Sequence, residues 1–425
     1  MINPWIYDFA AFDLWIKPLG LLYLGAILKN NGFNVTLIDC LDRYNPELKK
    51  ISAVKEKRFG TGNYYKEVVE KPDVLKNIPR KYGRYGITEK IFINELSRVK
   101  KPDAILVSSG MTYWYLGPKR VVNILKDELP GVPIIFGGIY PTLAPEHAKH
   151  NIEADEIVYG AAETKIIPLI AKFTGYNPHI SIDYSSIDNI PFPCYDLIHN
   201  INYVLVLTSR GCPYRCTFCG SHLVSGKFRQ RAPELVTEEI LFHWKKYKVR
   251  DFVFFDDALF FRKEEHIYRI LESVIKKKLH LRLHTPNGIH PNEIDGIAAN
   301  LMYRAGFKTV RLSLETVNPE RYADMDNKVN KEGFETAVKE LEKSGFKRKN
   351  IESYIIMALP GQKPREVIDT IIFAASNGVK VRLCSYAPIP GTLEWKRAID
   401  AGAVSYTHLR AHETSLHLVC RLLLE

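Results

Sequence analysis

Ser209-Arg-Gly-Cys212-Pro-Tyr-Arg-Cys216-Thr-Phe-Cys219-Gly220 decides how the rest of the chain is read. Three cysteines with three and two residues between them occupy a short Gly/Pro/Arg-rich loop, directly after the apolar run 204–208. Such a loop can wrap three corners of a cubane [4Fe–4S] cluster, with Gly211 and Gly220 easing the tight backbone. Three thiolates for four irons leave one iron open to chelate a small molecule. One alternative is a zinc held by Cys216, Cys219 and His222 with Cys212 as a fourth ligand; it gives no reason for a structural metal at this place in the fold. The other is structural cysteine packed as a small hydrophobe, which suits an apolar element better than this loop.

Working outward, the downstream half repeats one pattern. Strand candidates at 204–208, 251–255, 281–285, 309–314, 351–357 and 381–386 are separated by amphipathic helices such as 331–344 and 364–377. Six β/α units predict a partial (βα)6 barrel of the TIM type, with chemistry at the carboxyl ends of its strands, where the cysteine loop stands. Upstream, a strand start at Ile2, apolar residues at helical spacing over 18–28, and strand candidates at 34–39, 104–108, 133–136 and 156–159 predict a parallel, doubly wound α/β sheet of the Rossmann/flavodoxin-like kind. The Pro-rich stretch 190–194 marks a linker. The expected organisation is a domain over 1–175 interrupted by a basic insertion at 45–100, a linker over 176–200, and a core over 201–403.

The 425 residues are 46% apolar and 25% charged, ordinary for a globular chain of two or three domains. Seven cysteines, three of them in eight residues, describe one metal site in a reducing compartment and not a disulfide framework. No apolar stretch is long enough to span a membrane, and the opening MINPWIYDF lacks signal-peptide layout, so a cytoplasmic protein is expected. The net charge of +11 is uneven: residues 45–100 hold fourteen Lys/Arg against seven Asp/Glu. That excess reads as a solvated basic surface, or as a patch for an anionic substrate or partner, and does not by itself point to nucleic acid.

Residues 404–425, VSYTHLRAHETSLHLVCRLLLE, carry neither helical period nor strand alternation. They resemble a reading frame through a transposase-type sequencing adapter followed by a flow-cell primer, with Ser415-Leu416-His417 where a sample index would fall. The expectation is a chain cut near Ala403, so His408, His412, His417 and Cys420 enter no functional argument.

The Cys-x3-Cys-x-aromatic-Cys loop resembles the signature of the radical S-adenosylmethionine superfamily, and its setting over 203–400 is similar to the branch that carries an N-terminal cobalamin-binding domain. The matching residues are Arg229 and Arg231, Phe255-Asp256-Asp257, Pro286-Asn287-Gly288, Leu312-Ser313-Leu314-Glu315, Leu359-Pro360-Gly361 and Pro388-Ile389-Pro390-Gly391-Thr392. The resemblance implies that Cys212, Cys216 and Cys219 ligate a [4Fe–4S] cluster and that the open iron binds S-adenosylmethionine. It also implies that Phe218, Gly220, Asp256, Asp257, Ser313, Glu315 and Gly361 surround that cofactor. Asp256 or Asp257 would accept a hydrogen bond from the methionyl ammonium, since a desolvated cation needs an acceptor; the bland reading is a turn aspartate. Alternation places Arg311, Ser313 and Glu315 on one strand face, expected to be the lumen, and Arg282 with His284 on another. His284 and Cys384 are lumen candidates whose ordinary roles would be structural.

In the first domain the resemblance rests on Pro18-Leu-Gly20, Ser108-Ser109-x-x-Thr112, Gly137-Gly138-x-Tyr140-Pro-Thr142 and Gly160-x-x-Glu163, and implies that Ser108, Ser109, Thr112, Gly137, Gly138, Tyr140, Gly160 and Glu163 hold cobalamin. The Asp-x-His-x-x-Gly ligand loop usual in such domains is missing: the first histidine is His147. A cobalamin here would lack a protein ligand below cobalt, and a domain that merely packs is the alternative. The insertion, with Phe59-Gly-Thr-Gly62 and the Tyr/Arg-rich 79–85, has no assigned role. The resemblance implies a cobalamin-dependent methyltransferase that uses a deoxyadenosyl radical on a small-molecule or peptide substrate, fed by a one-electron donor such as flavodoxin or ferredoxin. Alternatives are a radical rearrangement or cyclisation without methyl transfer, and a non-catalytic corrinoid-binding module. Transfer-RNA methylthiolation would need a second cysteine triad, which Cys40 and Cys194 do not supply.

Overall fold

The computed structural model describes residues 1–176, 178 and 182–402, so the adapter-like tail lies outside the described residues. The chain divides into two units between Asn202 and Tyr203.

The first unit is built on five parallel strands, β1 (Ile2–Asn3), β2 (Ile38–Asp39), β3 (Ile105–Val107), β4 (Ile134–Phe136) and β5 (Glu156–Ile157), in the order β5-β4-β3-β1-β2. This is the flavodoxin-like order, whose reversal between β1 and β3 opens a ligand crevice at the carboxyl ends of the strands. The ladders are shorter than the apolar runs that announced them: residues 34–37 precede the paired part of β2. β3 and β4 are buried at every position, as a parallel strand covered on both faces must be. Helix α1 (Leu19–Asn30) buries Leu19, Leu21, Leu22, Tyr23, Ala26, Ile27 and Leu28. The linker closes on it at Gly25, where a Cβ would stand 2.7 Å from Cys194 Sγ. The Cys194 backbone N–H donates to Leu22 O at 3.2 Å.

The basic segment differs from its expectation in two ways. Its last part is α2 (Glu89–Arg98), a helix capped by Thr88, whose hydroxyl accepts from Ile91 N at 3.2 Å, with Ile91, Phe92 and Leu96 buried. This is the crossover between β2 and β3, so the true excursion ends near residue 87. The rest folds as two small antiparallel sheets with the segment that leaves β1. Ile6–Asp8 pairs with Gly83–Tyr85, which pairs with Lys66–Val68; Phe12–Asp13 pairs with Gly62–Asn63, which pairs with Lys55–Glu56. Gly86 ends the excursion at φ +121°, where a Cβ would meet Cys40 O at 2.0 Å, a conformation and an approach that glycine alone tolerates. Only part of the basic charge of this cap is paired with carboxylates. Arg84 pairs with both Glu67 and Glu89 and lies 5.1 Å from the Trp5 ring, and Arg43 holds buried Asp13 at 2.9 Å.

The second unit contains six parallel strands in chain order, β6 (Tyr203–Val206), β7 (Asp251–Phe254), β8 (Arg282–His284), β9 (Phe307–Glu315), β10 (Ile351–Met357) and β11 (Lys380–Ser385). Each neighbouring pair is linked by a helix, among them α3 (Pro233–Tyr247), α4 (Ile267–Lys276), α5 (Gly296–Ala305), α6 (Lys331–Lys343) and α7 (Pro364–Ser376). β6 and β7 are apolar and buried throughout, apart from the paired Asp251. α4 shows why these helices form: Ile267, Tyr268, Ile270, Leu271 and Val274 lie on one buried stripe.

One buried ion pair joins the cysteine-loop hairpin to the first barrel helix. Arg231 donates to Glu239, fully buried on α3, at 2.6 Å and to Leu207 O at 2.9 Å. Removing the guanidinium strands a carboxylate in the interior, so Arg231→Met should lower stability by about 3–5 kcal/mol in chemical denaturation.

Candidate active site

The loop that carries the cysteines is closed at its base. Ser209–Arg210 pairs antiparallel with Arg229–Gln230, and Gly211 and Gly226 both take left-handed φ where the loop opens and closes. Asp256, just past the end of β7 and 4% exposed, fixes this base to the sheet. Its carboxylate accepts from Thr208 N at 3.0 Å, Thr208 Oγ1 at 2.9 Å and Ser209 Oγ at 2.6 Å. Burial pushes its pKa up to about 6 against the pull of those donors. The loop's middle is held from the other side of the barrel mouth. Arg215 N donates to Asp326 at 2.8 Å, Thr217 N to Asp324 O at 2.9 Å, and Thr217 Oγ1 to fully buried Glu394 at 3.0 Å.

Cys212 and Cys216 are buried and Cys219 is partly so, and no disulfide joins any of them. Burial pushes the Cys212 thiol up to about 12 and raises the other two, so a metal centre must displace their protons on loading. Cys219 lies close enough to both Cys212 and Cys216 to perturb them electrostatically. Among the described residues, no three His, Cys, Asp or Glu side chains converge on one point as ligands of a single ion do. A cubane takes each thiolate on a different iron, so its ligands need a common neighbourhood and not a common point. Three free thiols on one loop suit that group.

Around the triad the expected residues separate into distinct roles. Asp257 is exposed and faces the loop, accepting from Ser221 Oγ, while its neighbour Asp256 is turned inward. Glu315 ends β9 at φ +60°, beside a register shift between Ser313 and Glu315. A bulky residue in the left-handed region costs of order 1–3 kcal/mol and persists where the surroundings impose it. Glu315 is only 8% exposed; burial raises its pKa, while Lys328 and a hydrogen bond with Ser313 pull it back. Gly288 leaves room for Ser313, since a Cβ there would lie 2.1 Å from its Oγ. Phe218 packs on Met325, Ile356, Leu359 and Tyr386, so its ring anchors the loop. Gly361 takes φ +68° in the exposed turn after β10, with nothing within 4 Å of a Cβ.

Lys328 was not foreseen. Its ammonium lies near Glu315, Cys216 and Cys219, whose charges raise its pKa against burial, and stands 6.0 Å from the Phe218 ring. It belongs to an irregular turn after β9 that carries no motif, so only the fold reveals it. His284 takes its structural option, fully buried with Nε2 3.0 Å from Asp251, which also pairs with Arg282. Cys384 is partly exposed and feels both Glu315 and Arg311, which places it on the lumen side.

In the first unit, Ser108, Ser109, Gly137, Gly138 and Gly160 line the carboxyl ends of β3, β4 and β5 as a shelf of small residues. Gly138, at φ +109°, packs so tightly that a Cβ would meet Ser109 O at 2.4 Å, and Ser109 Oγ donates to Gly137 O at 2.8 Å. Gly160 is half-buried, and a Cβ there would meet nothing within 4 Å. A low, open shelf over parallel strand ends fits a large planar cofactor with an inserted tail. Thr112 starts a short helical turn beside it and Glu163 lies partly exposed beyond Gly160. Tyr140, by contrast, is fully buried with its hydroxyl 2.6 Å from Nδ1 of half-buried His147, so its side chain is committed to the core.

Comparison with known proteins agrees with this division. Residues 206–374 match the radical SAM superfamily model and residues 88–167 the B12 binding domain model. The chain is 25% identical over 360 residues to the methyltransferase PH0819 of Pyrococcus horikoshii, covering 77% of each chain. It is 26% identical over 291 residues to the bacteriochlorophyllide d C-12(1)-methyltransferase of Chlorobaculum tepidum, covering 63% of this chain and 60% of that one. The radical S-adenosylmethionine methyltransferase TsrM of Kitasatospora setae superposes with a TM-score of 0.67 at 15% identity, over 95% of this chain and 76% of that one, and so shares the fold. The chain thus carries a radical SAM domain with a B12-binding domain N-terminal to it. Its cofactors are accordingly a [4Fe–4S] cluster, S-adenosylmethionine and cobalamin.

The carboxyl of Asp256 titrates in the folded chain at about 6, above the roughly 3.9 of an unfolded aspartate. A raised carboxyl pKa means the folded state binds the extra proton, so this group's contribution favours folding below about pH 4 and is lost as pH rises through about 6. Asp256→Asn should flatten that component, on the order of 2 kcal/mol, in denaturation midpoints measured from pH 4 to 7.

Proposed function

We propose that this chain cleaves S-adenosylmethionine reductively at a cluster held by Cys212, Cys216 and Cys219 and methylates a small-molecule or peptide substrate above the barrel. The observation that carries the reading is the cysteine loop, zipped at its base, tied to the sheet by Asp256 and docked at the carboxyl ends of the barrel strands. When bound, the cluster and S-adenosylmethionine supply a deoxyadenosyl radical, and cobalamin supplies a methyl group. Three curated relatives are named as methyltransferases, which supports methyl transfer.

The chain's own contribution is placement and charge. Asp257, at the exposed side of the loop, accepts a proton-bearing ammonium. Glu315 and Lys328 set opposite charges beside the thiolates, where burial makes each worth more than in water. Ser313 lies beside the Glu315 carboxylate and helps to lower its pKa. The shelf from Ser109 to Gly160 would seat cobalamin, and His147, the first histidine of the chain, is bonded to Tyr140. A flavodoxin- or ferredoxin-type donor supplies the electron, and the cytoplasm is the compartment that fits it. Among the described residues no helix is long and apolar enough to cross a membrane.

The test is anaerobic reconstitution with iron, sulfide and hydroxocobalamin, then reduction in the presence of S-adenosylmethionine. Deoxyadenosine should form, with adenosylhomocysteine once substrate is supplied. Cys216→Ala should abolish deoxyadenosine, and Glu315→Gln should slow its formation by at least about tenfold. Undiminished deoxyadenosine in the Cys216 variant would refute the cluster assignment, and loss of all corrin on desalting would refute cobalamin binding.

A further inference from the structure

Pro388-Ile-Pro-Gly391-Thr392 lies far along the chain from the cysteine loop and has no part in the chemistry above. It runs into a capped helix, α8 (Leu393–Asp400), on which Glu394, Trp395 and Ala398 are buried. The Thr392 hydroxyl accepts from Trp395 N at 3.1 Å. Such a cap fixes where the first turn begins, and with it the direction of Glu394, which meets Thr217.

Thr217 stands between Cys216 and Phe218, at a position where the cysteine pattern asks for no residue type. All three of its polar atoms are nonetheless engaged by distant segments. Its N–H donates to Asp324 O at 2.9 Å, its carbonyl accepts from Glu394 N at 3.1 Å, and its hydroxyl donates to Glu394 Oε1 at 3.0 Å. Arg397, one turn along α8, pairs with Glu394 and, at 3.0 Å, with Asp324. Thr217, Glu394, Arg397 and Asp324 thus form a closed ring drawn from the cysteine loop, the helix and the turn after β9. Glu394 is fully buried, so its carboxylate needs the partners that the ring supplies. A hydrogen bond to a buried carboxylate is both stronger and more directional than a neutral one, which is what holding a short loop in register demands.

We infer that Glu394 is a positioning residue for the cluster. Acting through Thr217, it keeps the segment from Cys216 to Cys219 at the spacing that thiolates on separate irons require, while Arg397 keeps the carboxylate in place. The inference rests on the cluster reading proposed above. It gives the turn 388–392 the task of aiming Glu394, and it makes α8 part of the cluster's housing although the helix carries no ligand.

Thr217→Val keeps the shape of the side chain and removes its hydroxyl, Thr217→Ser restores the donor, and Glu394→Gln leaves a weaker, neutral acceptor. In the cluster-free chain, alkylation of buried Cys216 by iodoacetamide, read by peptide mass mapping, reports local opening of the loop. It should run at least about fivefold faster in Thr217→Val than in the wild type. After anaerobic loading with iron and sulfide, the half-life of the cluster absorbance under a chelator should fall at least about fivefold in the same variant. Glu394→Gln should move both readings the same way and less far, and Thr217→Ser should return both to wild-type values. Arg269→Gln, at an exposed surface pair with Glu234, should change neither. A ring that merely docks α8 would lower the denaturation midpoint of Thr217→Val while thiol reactivity and cluster lifetime stay at wild-type values, and that outcome overturns the inference. So does a serine variant that fails to restore them, or a cluster held equally long in Thr217→Val despite faster alkylation. A wild-type chain that takes up no iron–sulfur cluster overturns the cluster reading and the inference with it, which distinguishes the two failures.

Discussion

The buried carboxylate of Asp256 is the constraint on which the reactive half of the molecule depends. It sits where β7 ends and accepts every donor presented by Thr208 and Ser209, the two residues through which β6 becomes the cysteine loop. A loop of this length has no apolar core of its own and would fluctuate, pulling the sulfurs out of register with any cluster. Two opposed attachments prevent that: the Asp256 grip and the short ladder at the base, and the carbonyls and carboxylates of Asp324, Asp326 and Glu394 at the crown. Charge at the centre is then arranged by rigid elements. Glu315 stands at the end of the longest strand and Lys328 on the turn that follows it.

What could be read from the sequence followed the physics of burial. β6 and β7 are continuous apolar runs because both faces are covered, and such runs stand out. Helices such as α4 stand out equally, through a stripe of five apolar residues. The cysteine spacing is local and therefore visible without a fold. Local patterns could not tell Asp256 from Asp257: the two are adjacent and identical in chemistry, and only the approach of a distant loop makes one a structural acceptor and leaves the other facing the site. Lys328 was invisible for the same reason. The cap was missed because its strands are two or three residues long and pair across more than forty positions with the exit of β1. Propensity carries little signal over such lengths.

Small residues in the first unit illustrate how one residue type serves different ends. Gly138 and Gly86 allow backbone to approach backbone, whereas Gly160 faces open space. Tyr140 was grouped with the shelf because of its neighbours in sequence, yet the turn after Gly138 directs its ring inward to His147. Position in a motif therefore predicted location but not orientation.

The pairing of Ile6–Asp8 and Phe12–Asp13 with the excursion has a consequence for anyone trimming this protein. Excising the excursion would not yield a minimal flavodoxin-like domain. It would strip the partners from two short strands and uncover Ile6, Leu41 and Trp114, which pack with Tyr64 and Tyr85 of the excursion, leaving raw hydrogen-bonding edges open to intermolecular pairing. The segment that interrupts the domain in sequence is thus what closes its edges in space.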